Sequence, residues 1–135
     1  MASEGRAGRL VIRIVAVLAV ILGVATLRQG GAVLLGDADA VRSAGRYVPF
    51  VVWFNVLAAF AYVAAGVGLW LRRRWAAGLA FAIAIATLAA FGAFGIHVAG
   101  GGGYELRTVF AMSVRMIVWF AIALLAYRLL RPAVR

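Results

Sequence analysis

Arg115 lies well inside a largely apolar run over residues 109–130, whose other arginine, Arg128, is close to its end. A guanidinium in hydrocarbon costs about 2.5–3.5 kcal/mol on insertion scales, so it is rare unless it has a partner or a task. Three readings are open for it: a structural pair with a carboxylate or a neighbouring subunit, a ligand- or ion-binding group, and a lipid-facing residue that snorkels. Asn55 and Tyr62 share a second apolar run, His97 closes a third, and Glu105 precedes the fourth. An Asn oxygen and a Tyr hydroxyl both accept from a guanidinium, which has five donors to satisfy. Neither neutralises its charge, which leaves Glu105, Asp37 and Asp39 as carboxylates able to reach down from the loops.

Each of these residues also has a plainer role. For Asn55 it is an interhelical hydrogen bond. Glu105 is favoured at the start of a helix by the helix dipole. A lone His near an interface is more often a hydrogen-bonded surface group than a metal ligand. Met112 and Met116 read as packing residues. The run Gly100–Gly103 is not a phosphate loop, because no Lys-Ser/Thr follows it. No Ser-His-Asp set or metal-ligand spacing is present, and the sequence contains no cysteine, so no catalytic residue, metal site or cofactor is assigned.

The elements that must position these groups follow from composition. Of 135 residues, 67% are hydrophobic, and the mean hydropathy is +1.06. A soluble domain is about 45–50% apolar. The expected fold is all-α: a single domain over 1–135, a four-transmembrane-helix antiparallel bundle with spans near 10–27, 48–71, 75–98 and 109–130. Each has the roughly 20 residues that a bilayer requires. Arg6 and Arg9 before an apolar run, with Gly23-Val24-Ala25 beyond it, also imitate a signal peptide.

All fourteen basic residues are arginines, and the net charge is +10. They flank the apolar spans rather than striping a soluble face, which argues for topology and against nucleic acid. Arg6, Arg9, Arg72, Arg73, Arg74, Arg128, Arg131 and Arg135 fall on one side. Arg28, Arg42, Arg46 and Arg107 fall on the other with Asp37, Asp39 and Glu105. The positive-inside rule makes the first side cytoplasmic, with both termini inside, in a bacterial inner membrane. On this topology Asn55 and Arg115 share a depth of roughly 10 Å below the outer surface.

Helical spacing then sets the faces. Asn55, Ala59, Tyr62 and Gly66 fall on one stripe of the second span. Thr108, Ala111, Met112, Arg115, Trp119 and Ile122 fall on one stripe of the fourth. If both stripes point inward, the two polar groups meet. In the third span Gly78, Ala82, Ala86 and Ala90 recur every fourth position, a ladder that lets helices approach closely. With Ala58, Ala61, Ala65 and Gly68 opposite, the second and third spans are expected to form the tightest pair. Asp37-Ala38-Asp39-Ala40-Val41-Arg42 is expected to begin a short interfacial helix in the loop 28–47.

The stretches Phe54-Asn55, Tyr62-Val63-Ala64-Ala65-Gly66, His97, Gly103-Tyr104-Glu105-Leu106-Arg107-Thr108, Ala111-Met112 and Arg115 resemble small uncharacterised bacterial four-helix membrane proteins. The layout is also similar to the DoxX-like families, over about the last two-thirds of the chain. Some members of those families are associated with quinone-linked redox complexes, and the resemblance implies no catalytic residue here. Three functions remain open. The first is a non-enzymatic accessory or assembly subunit that contacts a homo-oligomeric copy or a complex partner within the lipid bilayer. The second is small-ligand binding or permeation at Arg115, Asn55, Tyr62, His97 and Glu105. The third is a quinone-linked redox subunit.

Overall fold

A computed structural model describes residues 2–130, with side chains from residue 5 onward. Arg131 and Arg135, used above for topology, lie outside them. Among the described residues the chain forms helices α1 (Ala2–Leu34), α2 (Ala38–Ala44), α3 (Pro49–Trp70), α4 (Trp75–Ala99) and α5 (Leu106–Leu130). All except α2 are long and apolar enough to cross a membrane. Large hydrophobic side chains such as Leu57, Phe60, Phe110 and Ile117 point outward and are more than half exposed. Such a surface has no stable place in water but suits acyl chains. The chain therefore has the make-up of a multi-pass membrane protein.

Helix α2 forms where the acidic stretch places it. The Asp37 side chain caps it by accepting from the Ala40 N–H at 2.8 Å. Asp39 sits in its first turn and pairs with Arg42 at 3.5 Å, fully on the surface. Pro49 begins α3, where its missing N–H costs nothing.

Two expectations are corrected by the packing. The first span does not end near residue 27: α1 runs on to Leu34, a 33-residue rod of about 50 Å. Nor are α3 and α4 the tightest pair. The most extensive contact is between α1 and α3. It rests on glycines to which the sequence reading gave no packing role: Gly66, placed on the inward stripe of the second span, and Gly23, read as part of a possible cleavage site. A Cβ on Gly66 would meet the Ala16 carbonyl oxygen at 2.8 Å, and one on Gly23 would meet the Ala59 carbonyl at 3.0 Å. Gly30 faces the Val56 side chain of α3 near the end of α1. Only hydrogen at these positions allows the two backbones to lie so close.

The ladder Gly78, Ala82, Ala86 turns away from the bundle, with Ala90 at its edge. Nothing lies within 4 Å of a Cβ built on Gly78. Helix α4 instead buries Ala76, Ala80, Ile83, Ala84, Thr87 and Phe94. On α3 the small-residue face does pack, with Gly68 against Trp75 and Ala76.

The four long helices form a ring in the order α1, α3, α4, α5, and the seam between α5 and α1 has the least contact. At the end carrying the Arg72–Arg74 turn the ring is closed. There Ile12, Ala16 and Ala19 of α1 share one core with Trp119, Ile122, Ala126 and Leu130 of α5, and Gly8 lies beside Leu129. Towards the α2 end a second, smaller core joins Val48, Val51, Phe94 and Met112. No residue of α1 takes part in it.

Candidate functional site

Where α1 leaves the second core, a cavity of about 410 Å³ opens. Its walls come from Thr26, Gln29, Gly30 and Val33 of α1, Val51, Val52 and Asn55 of α3, and Arg107, Thr108, Ala111, Met112 and Arg115 of α5. Ala40, Ser43 and Ala44 of α2 lie across its end. Both inward stripes read from helical spacing face the bundle interior, so Asn55 and Arg115 line the same space.

The Arg115 guanidinium donates from Nη2 to Thr26 Oγ1 at 3.4 Å, a long bond to a buried hydroxyl. Among the described residues no carboxylate pairs with it. The three candidates are engaged elsewhere: Asp37 in its cap, Asp39 with Arg42, and Glu105 through Oε1 with the Arg46 N–H at 2.8 Å. The Asn55 amide also faces the cavity without a hydrogen bond among the described residues. A half-buried cation with most of its donors unmet, beside an unmet amide, is an anion-binding arrangement.

Tyr62 lies deeper than the cavity wall. Its ring packs on Trp119, with centroids 4.7 Å apart and planes tilted by 35°. An aromatic pair of this kind is worth about 0.5–1.5 kcal/mol beyond the area it buries. The hydroxyl stands in the field of Arg115 and neighbours Thr87 and Trp119. None of Tyr62 Oη, Thr87 Oγ1 and Trp119 Nε1 reaches hydrogen-bond geometry with a partner, although all three are buried.

His97 and Glu105 are not in the cavity wall. His97 Nε2 lies 3.2 Å from the Gly103 carbonyl oxygen, and its ring meets Phe50 edge to face at 6.2 Å. Gly102 is pressed against that imidazole, so His97 organises the glycine turn after α4. Glu105 joins that turn to the segment after α2. Arg107 strengthens the same junction, donating from Nη2 to the Ser43 carbonyl oxygen. Thr108 lines the cavity on the Arg115 stripe where helical spacing placed it, while Thr26 and Gln29 were not among the expected site residues. Thr26 carried a usable signal: it is a polar residue near the end of a span, at the depth expected for Arg115.

The chain matches no family model, no curated protein and no solved structure in comparison with known proteins. Functional reading therefore rests on its own residues.

Proposed function

We propose that this protein is a membrane-embedded binder of an anionic group, a carboxylate or a phosphate, held by Arg115 with Asn55 and Thr26. The observation that carries this reading is the Arg115 guanidinium. It faces a cavity in an apolar bundle with one long hydrogen bond and no acidic partner among the described residues. In low dielectric an unpaired charge attracts a counter-ion far more strongly than in water. By the distribution of arginines the cavity opens towards the periplasmic half of a bacterial inner membrane. Carboxylates and phosphates of increasing chain length should raise the melting temperature of the purified protein. The shift should disappear in Arg115→Ala and Asn55→Ala. A shift that survives both substitutions removes the site from consideration.

A second reading, an accessory subunit that assembles with another copy or another membrane protein, is favoured by a different observation. The small-residue ladder of α4 faces outward with open space at Gly78. Such ladders support helix association in membranes. Ala82→Leu and Ala86→Leu should then shift the protein to a smaller species on blue-native gels. An unchanged band leaves that face to lipid.

A further inference from the structure

The cavity has one end covered and one side thin. Across its end lies α2, tied to the start of α5 by two bonds that flank the Gly45 turn: Arg107 to the Ser43 carbonyl, and the Arg46 N–H to Glu105. These hold a lid between the cavity and the aqueous loops. The thin side is the seam between α1 and α5, which meet less than any other neighbours in the ring. In the closed half of the bundle that seam is packed by Ile12, Ala16 and Trp119. In the cavity half α1 contributes nothing to the local core, and Val33 of α1 and Ala111 of α5 both line the empty volume. On α5, Leu106, Phe110 and Val114 are exposed to the surrounding medium. For a membrane helix that medium is acyl chain.

A route closed towards water and loose towards hydrocarbon selects by phase. A water-soluble anion would have to displace the lid, or cross lipid without its hydration shell. An amphiphile already in the bilayer need only slide its head inward between two weakly joined helices. The walls suit it: Arg115, Asn55 and Thr26 supply polar groups, and Val33 and Ala111, on the two helices of the seam, supply apolar ones. We infer that the occupant is a single-chain amphiphilic anion that enters sideways from the bilayer through the α1–α5 seam, its head on Arg115 and its tail left among the lipids. This rests on the anion-binding reading above and adds the class of ligand and its path.

The test pairs heads with and without tails. Palmitate is compared with acetate, and dodecyl phosphate with inorganic phosphate, by melting-temperature titration of the full chain in zwitterionic nanodiscs. The tailed members should reach half-maximal shift at concentrations at least tenfold lower, and Arg115→Gln should abolish that shift. Should Arg115→Gln fail to fold, Arg115→Lys should weaken binding several-fold and Asn55→Leu should abolish it. Equal potency of acetate and palmitate would overturn the inference while leaving the anion site standing. No response to any of the four would sink both, as would a tailed response unchanged in the Arg115 variants. The path is tested with a palmitate bearing a mid-chain diazirine. Adducts should fall on α1 and α5 beside the seam, and adducts confined to residues 40–44 would overturn sideways entry.

Discussion

Tyr62, Thr87 and Trp119 bring one phenol, one hydroxyl and one indole N–H into a single buried neighbourhood from three different helices. An unmet polar group in an apolar interior costs about 1–3 kcal/mol, and an apolar group of the same shape removes that cost. Thr87→Val keeps the shape of the side chain, so its melting temperature should equal or exceed that of the parent. A drop corresponding to 1 kcal/mol or more, by about that same scale, would mean that this hydroxyl is bonded in the embedded protein. Trp119→Ala is a different matter. It removes the ring on which Tyr62 lies and opens space in the larger core, a change that costs about 3–5 kcal/mol in well-packed interiors. Thermal melts of the two variants in the same detergent should therefore move in different directions or by very different amounts.

At the scale of helices, the contrast between two glycines tests the packing. Gly66→Val places carbon against the Ala16 backbone and the Val20 side chain, which must move apart. Overpacking of this kind costs about 1–3 kcal/mol. Gly78→Val meets nothing and gains in helix propensity, so it should leave stability unchanged or raise it. A reversed ranking in thermal melts would mean that α4, and not α1, is the helix seated on α3. This is also where reading from sequence met its limit. The inward stripes of α3 and α5 were legible because each carries a polar or bulky marker, Asn55 and Tyr62 on one and Arg115 and Trp119 on the other. A period of 3.6 does the rest. Helix α4 has almost no such marker. In a bilayer its outward face is as apolar as its inward one, so a ladder of small residues on either side reads alike. The straps from Glu105 to Arg46 and from Arg107 to Ser43 join residues 59 and 64 positions apart, a separation that no local pattern encodes.

For the whole molecule, the ring order and the alternation of helix direction place α2 and the glycine turn at one end and Arg72–Arg74 at the other. Which end faces the cytoplasm is settled by labelling, and the absence of native thiols makes this clean. Single cysteines at Asp39 and Gly102 should react with an impermeant maleimide added to intact cells, and one at Arg73 only after lysis. The opposite pattern would invert the topology and turn the cavity towards the cytoplasm.

The reach of α1 has a consequence of its own. Arg13 stacks over Trp70 at 5.3 Å, level with the last residue of α3. Beyond that level α1 has eleven more residues, roughly 16 Å of helix at the standard rise. The final turns of α5 run beside it at Gly8 and Leu129. Helix α1 therefore stands past the end of α3 as a spur with the end of α5 at its base, and Arg6, Arg9 and Arg128 are exposed there. A foot of this kind grips whichever leaflet it meets through charged headgroups, at about 1 kcal/mol per arginine. Because mobile ions damp that attraction within about 10 Å at 0.1 M, brine would loosen the foot while the greasy shaft stayed planted.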